Sequence, residues 1–203
     1  MNKRNFQKEM DALLSELENE APKKLLLHSC CAPCSSYVLE YLSEYFSITV
    51  MYFNPNITSA EEYEHRLCEQ KRLCAELPAK NPINVIAGEY LPESFYDAVK
   101  GLENEREGGA RCKKCFELRL AYTAKAAKDG GFDCFATTLT LSPLKNAALI
   151  NEIGERLADE YGVKYLCSDF KKREGYKRSI ELSREYSLYR QNYCGCEFSR
   201  RGQ

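Results

Sequence analysis

Hydrophobic positions recur along the chain at two spacings, and their alternation predicts the elements. Phe6, Met10, Leu13, Leu14 and Leu17 repeat at helical spacing among charged residues, which predicts an amphipathic leading helix within residues 1–22, stopped by Pro22. Lys24 to Ser29 is a short, largely apolar run of strand size, and it flows into Cys30-Cys31-Ala32-Pro33-Cys34. Ser35 to Phe46 puts Val38, Leu39, Leu42 and Phe46 on one helical face. The pattern then continues as a strand over 48–53 and a long helix over 59–77, with Ser59 as its N-cap and Glu62 three residues on. A third strand spans 83–87, a short helix 92–100, and a polar, glycine-bearing loop 101–109. Helix 111–127 carries Cys112 and Cys115 in its first turn and ends at Gly130-Gly131. Strand 132–138, helix 144–161 stopped by Gly162, strand 163–167 and helix 176–189 complete the series.

Five apolar strands alternating with helices predict a single α/β domain over 1–203, a largely parallel five-stranded sheet flanked by helices. Crossovers in such a sheet are right-handed, and chemistry gathers at the carboxyl ends of its strands. Cys30 and Cys31 follow the first strand, Asn54 the second and Thr138 the fourth, so one rim should collect the polar loops. Residues 190–203 form a tail bearing Tyr193-Cys194-Gly195-Cys196.

The chain has 203 residues, 44% hydrophobic and 29% charged, enough for a sizeable core. No apolar run reaches membrane-spanning length, and the first twenty residues carry no apolar signal region, so the expectation is a cytoplasmic protein with no membrane partner. A net charge of −1 makes the whole molecule no magnet for polyanions, so a nucleic-acid partner needs a local basic face. Lys171, Lys172 and Arg173, then Lys177 and Arg178, then Arg200 and Arg201, could supply one; solvated surface charge is the competing reading. Tyr176, Tyr186, Tyr189 and Tyr193, interleaved with Lys and Arg, suit base stacking beside phosphate contacts, and equally suit helix packing.

Cysteine changes the picture: there are 11, an odd number that excludes a fully paired framework within one chain. In a reducing compartment such a set reads first as metal or redox chemistry. Cys112-Lys113-Lys114-Cys115 presents two sulfurs on one helical face, where the helix N-terminus and the flanking cations favour thiolate. Cys30 and Cys31 sit in a loop that opens a helix, about 80 residues away in sequence. If the strands are ordered as predicted, both pairs meet at one rim, and four thiolates match the ligand count of a [4Fe–4S] cluster. Spacing alone leaves zinc equally open. Cys194 and Cys196 would close a small, strained disulfide suited to electron relay, with Gly195 giving the needed freedom; two more metal ligands or two idle thiols fit as well. Cys34 is either a further ligand or a buried helix residue, whereas Cys68, Cys74, Cys134 and Cys167 read as core fillers. With His28 and His65 the only histidines, a hydrolytic His-based set is hard to assemble, and no Walker or GxGxxG signature is present.

Taken jointly, His28-Ser29-Cys30-Cys31-Ala32-Pro33-Cys34, Tyr52-Phe53-Asn54-Pro55-Asn56-Ile57, Arg111-Cys112-Lys113-Lys114-Cys115, Thr137-Thr138-Leu139, Ser142-Pro143 and Tyr193-Cys194-Gly195-Cys196 resemble the QueH family, the cobalamin-independent epoxyqueuosine reductases. The resemblance runs from about Leu25 to Ser199. It implies a HUP-type, Rossmann-like α/β fold. It implies a substrate, tRNA carrying epoxyqueuosine at the wobble position, and a two-electron deoxygenation that turns the epoxide into the alkene of queuosine and releases water. It implies that Cys30, Cys31, Cys112 and Cys115 bind the [4Fe–4S] cluster, that Cys194 and Cys196 are a redox-active pair, and that no cobalamin is used. Some members carry Asp at the position of Cys34, where it helps hold an additional iron; here a thiol stands there. The electron donor is not identified by the resemblance. Lys171, Lys172, Arg173, Lys177 and Arg178 are the candidate tRNA contacts. A zinc-stabilised RNA-binding module, a thiol–disulfide oxidoreductase and an ATP-dependent tRNA-modifying enzyme of similar fold are the competing readings.

Overall fold

The computed structural model describes residues 4–200; the first three residues of the predicted leading helix, the Arg200 side chain and all of Arg201 lie outside the described part. In chain order the elements are α1 (Phe6–Leu17), β1 (Lys23–His28), α2 (Ala32–Leu42), β2 (Phe46–Tyr52), α3 (Ala60–Glu76), β3 (Ile83–Ala87), α4 (Pro92–Val99), α5 (Ala110–Asp129), β4 (Cys134–Thr137), α6 (Ala147–Tyr161), β5 (Lys164–Tyr165), α7 (Gly175–Glu185) and α8 (Glu197–Arg200). A one-turn 3₁₀ segment, Thr138–Leu141, follows β4.

The strands form one all-parallel sheet in the order β3-β2-β1-β4-β5. β1 lies at its centre because Leu25, Leu26 and Leu27 are apolar on both faces, as a covered parallel strand requires. Leu25 and Leu27 pack with Met10, Val38 and Leu73 from α1, α2 and α3. Leu26 packs on the other face with Phe116 and Leu120 of α5 and Ile153 of α6. The sheet grows outward in one direction through β2 and in the other through β4, so the order reverses between β1 and β4. Ligand crevices of doubly wound sheets form at this reversal, outside the carboxyl ends of the strands. Cys30 and Thr138 stand at those two ends.

Local signals set most boundaries. Ser59 caps α3 by accepting from Glu62 N, as the sequence predicts. Gly162 ends α6 in the left-handed conformation, with φ +65°. β5 is shorter than the predicted 163–167. Leu166 N still donates to Phe135 O of β4, and beyond it the chain leaves the sheet, where the Asn151 side chain captures Ser168: Nδ2 donates to Ser168 O at 2.9 Å and Oδ1 accepts from Ser168 N at 3.1 Å. α7 also stops short of the predicted 189. The chain turns at Ser187, φ +48°, burying Leu188 and letting Tyr189 N donate to Glu69 on α3 at 2.9 Å. That turn sends the tail across α3 toward the crevice.

Candidate metal centre

The loop after β1 is held from three sides. Ser29 N donates to Met51 O, Asn54 Nδ2 donates to Ser29 O at 2.9 Å, and Gln70 Oε1 accepts from both Ser29 Oγ and Ser35 Oγ, at 2.7 and 2.9 Å. Between these anchors the backbone turns so that Cys30 Sγ and Cys31 Sγ lie 3.8 Å apart, far beyond a disulfide bond of about 2.05 Å. Cys34 joins them: the three sulfurs lie within 4.8 Å of one another, and Cys30 Sγ also meets Thr138 Oγ1 at 3.8 Å. Cys31 is the N-cap residue of α2 and makes no side-chain cap bond, so its sulfur is not spent on the helix. Hydrogen bonds from Cys31 and Cys34 pull Cys30 well below the ordinary thiol range, while Cys31 is pushed up to about 12. Three sulfurs converging this closely offer a ready ligand set for a metal ion.

Cys112 lies in the first turn of α5, as expected, while Cys115 falls in the second, because the helix begins at Ala110. Gly108 N, just ahead of the helix, donates to Cys112 Sγ at 3.2 Å, which ties the thiol to the preceding loop. The expected drop toward thiolate is overturned. Burial outweighs the helix end and the cations, raising Cys112 and pushing Cys115 up to about 12. Arg119, one turn beyond Cys115, is buried, and its Nη1 donates to Cys115 Sγ at 3.8 Å. Its charge acts on Cys30 and Cys194 as well, which ties both cysteine pairs and the tail to one neighbourhood.

The tail is docked by α3 and the loop after β2. Arg66, itself buried, pairs with Glu62 at 2.6 Å, donates to Tyr193 O and Cys194 O, and lies 5.1 Å from the centroid of the Tyr193 ring. Asn56 Nδ2 donates to Cys194 O at 3.4 Å, and Thr58 N donates to Gly195 O at 3.3 Å. Gly195 has φ +104°, and a Cβ there would stand 2.7 Å from Ile57 Cγ1. Cys194 and Cys196 are free thiols in this structure.

Two adjoining cavities result. One, of about 340 Å³, has Cys112, Cys115, Cys194 and Cys196 in its wall; the other, of about 360 Å³, has Cys34 and Cys194. Lys145 lines both, and the thiols Cys194, Cys30 and Cys34 raise its pKa further above the ordinary lysine value. Among the described residues neither Lys145 nor Arg119 has a carboxylate within ion-pair distance. Two buried donors near the sulfurs, Tyr52 OH and Arg111 Nε, also have no hydrogen-bond partner among the described residues. Uncompensated cations, unsatisfied donors and thiol ligands together fit a sulfur-rich centre of net negative charge.

Arg119 and Arg66 are not legible in the sequence as site residues. The available signal is position: each falls in the apolar stripe of its helix, Arg119 between Phe116 and Leu120, Arg66 between Tyr63 and Leu67. Of the basic residues proposed for tRNA, Lys171, Lys172 and Arg173 lie between β5 and α7, Lys177 and Arg178 lie in the first turns of α7, and most are already paired. Lys171 meets Asp169, Arg173 meets Asp11, Lys177 meets Glu174 and Arg178 meets Glu40; Lys172 has no ion pair among the described residues. Of the expected core-filling cysteines, Cys134 is buried and Cys74 and Cys167 are partly buried. Cys68 is exposed, a correction that follows from its place on the solvent face of α3. No helix among the described residues is long and apolar enough to cross a membrane.

Residues 25–202 match the family described as Epoxyqueuosine reductase QueH. The chain is similar to the protein of that name from Staphylococcus epidermidis, 46% identical over 200 residues covering 96% of this chain and 84% of the relative. Its counterpart from Thermotoga maritima is 37% identical over 180 residues, 86% of this chain and 89% of the relative. Among solved structures, the U34-tRNA thiolase NcsA from Methanococcus maripaludis with its [4Fe-4S] cluster superposes with a TM-score of 0.55 at 14% identity, over 96% of this chain and 68% of that one, which shows a common fold.

Proposed function

The chain belongs to the epoxyqueuosine reductase QueH family, and from that membership we propose how its residues carry the reaction. The enzyme reduces the epoxide of epoxyqueuosine in tRNA to the alkene of queuosine. The conversion takes up two electrons and two protons, breaks both epoxide C–O bonds, forms the C=C bond and releases one water. Cys30, Cys31, Cys112 and Cys115 hold a [4Fe–4S] cluster, with Cys34 available to an additional iron. When bound, such a group supplies electron transfer and a Lewis-acidic iron for the departing oxygen.

The chain's own residues do the rest. Lys145 places a cation between the two cavities, where it can hold an oxygen of the substrate. Cys194 and Cys196, as a dithiol, yield two electrons and two protons on closing to a disulfide, which balances the reduction; an external donor must then reopen it. The wobble nucleoside, flipped from the anticodon loop, enters beside Pro33, Cys34, Tyr176 and Tyr193, with the 79%-exposed Leu144 at the lip. Lys172 is available to a phosphate, and Lys171, Arg173, Lys177 and Arg178 can contribute by exchanging carboxylate for phosphate partners.

One observation supports this reading: Cys30, Cys115 and the tail's Cys194, distant in sequence, all lie within reach of Arg119, which has no carboxylate partner among the described residues, although the tight sulfur group is Cys30, Cys31 and Cys34 alone. A second reading draws on the tight grouping of Cys30, Cys31 and Cys34. Sulfurs 3.8 Å apart match the edge of a tetrahedral site with metal–sulfur bonds of about 2.3 Å, so a single ion could sit there without a cluster. The reaction itself is tested by anaerobic turnover on tRNA carrying the epoxide, with a dithiol as electron source and nucleoside mass as readout. Queuosine should form without ATP and stop on iron chelation. Full activity after chelation would make the protein a thiol–disulfide oxidoreductase instead.

A further inference from the structure

Arg119 is one of the largest fully buried side chains, 1% exposed, and the reaction scheme above gives it no role. Its three hydrogen bonds go to acceptors other than carboxylates. Nη2 donates to Asn54 Oδ1 at 2.7 Å, Nε to His28 Nε2 at 3.3 Å and Nη1 to Cys115 Sγ at 3.8 Å. His28 brings no negative charge. Its Nε2 accepts from Arg119, so the ring proton sits on Nδ1, which donates to Thr137 Oγ1 at 2.8 Å. Asn54 is fixed in turn by Ser29 O. The guanidinium is therefore clamped in place, permanently charged and without a counter-ion among the described residues. A buried charge of this kind is costly unless something opposite in sign completes the site. The groups its field reaches are Cys115, Cys30 and Cys194.

We propose that Arg119 sets the reduction potential of the metal centre, raising it through a buried positive charge and an N–H directed at Cys115 Sγ. The inference rests on the iron–sulfur reading above. Adding an electron makes a thiolate-ligated centre more negative, so an unscreened cation beside it favours the reduced state. An N–H bonded to a ligand sulfur acts in the same direction. Lys145 does not duplicate this role, because it lines open cavities where water and substrate reach it. Arg119 is a positioning residue in electrostatic terms: it touches a ligand and not the substrate pocket.

The test is an anaerobic redox titration of the reconstituted protein, read by visible absorbance and electron paramagnetic resonance, with iron and sulfide measured on each sample. Arg119→Gln should keep iron and sulfide at the wild-type level. Its reduced-to-oxidised ratio at a given potential should fall at least tenfold, about 59 mV for a one-electron couple. Arg119→Lys, which keeps the charge, should restore most of the difference. Asn54→Asp leaves Arg119 in place and sets a carboxylate against it while removing the Nδ2 bond to Ser29 O; in samples whose iron and sulfide match the wild type its potential should fall as well, and it decides the matter if Arg119→Gln does not fold. A loaded Arg119→Gln or Asn54→Asp protein with the wild-type potential overturns the inference and leaves the iron–sulfur reading standing. A wild-type protein that takes up no iron and sulfide overturns that reading and the inference with it.

Discussion

Arg66 shows how much a single side chain decides here. Its guanidinium spans Glu62 on its own helix and two carbonyls of the tail, and it is the firmest link between α3 and Cys194. Arg66→Met leaves half-buried Glu62 with only the Tyr189 hydroxyl as a partner, a loss of about 1–3 kcal/mol in stability, and frees the tail. Denaturant unfolding should register the first effect. The second should appear as a drop of tenfold or more in steady turnover with iron content unchanged. Cysteine was legible at this scale because its chemistry is specific to the residue type: an adjacent pair and a CxxC invite a metal reading before any coordinates exist. Arg66 and Arg119 were hidden for the opposite reason. A charged residue in a helix is normally solvent-facing, and only its phase against Phe116 and Leu120, or Tyr63 and Leu67, marks it as buried. The ionisation of Cys112 and Cys115 was misread because sequence displays the helix end and the cations but not the desolvation that outweighs them.

Elements differ in how openly the sequence announces them. Caps and glycine stops are local, so Ser59 and Gly162 mark α3 and α6 correctly. β5 is a tertiary outcome: Asn151, from α6, competes with the sheet for the backbone of Ser168. Asn151→Ala should leave two buried backbone groups unsatisfied and cost about 2–4 kcal/mol, measurable by urea unfolding. The tail depends on one conformation at Gly195. Gly195→Ala must place a Cβ at φ +104° and within 2.7 Å of Ile57, a strain of about 1–3 kcal/mol. The tail should then detach, so alkylation of Cys194 and Cys196 in the anaerobically reduced protein should accelerate several-fold while α/β circular dichroism is retained.

At the scale of the whole molecule, strand order does the organising. Five parallel strands in the order β3-β2-β1-β4-β5 put the reversal between β1 and β4, and loops from both, with α5 and the tail, meet above it. Alternating hydrophobic runs were sufficient to predict the parallel α/β class, and the expectation that Cys30 and Thr138 share a rim follows from that class alone. Charge distribution was not readable at this level, since partners such as Asp11 and Glu40 lie far off in sequence from Arg173 and Arg178. Binding of tRNA should weaken several-fold in Lys172→Glu, and the log–log salt slope should shrink by about 0.7, the loss of one single-strand phosphate contact.

The central claim concerns ligands, so its most direct measurement is iron, zinc and acid-labile sulfide per chain after anaerobic purification, in wild type, in Cys112→Ser/Cys115→Ser and in Cys68→Ser. The account predicts about four irons and four sulfides in the wild type, any additional iron adding to the first number only. It predicts the same in the exposed-cysteine control, and loss of sulfide when the helical pair is replaced. Zinc without sulfide would contradict it and leave a single ion on Cys30, Cys31 and Cys34; unchanged iron and sulfide in the double variant would contradict the assignment of Cys112 and Cys115 as ligands.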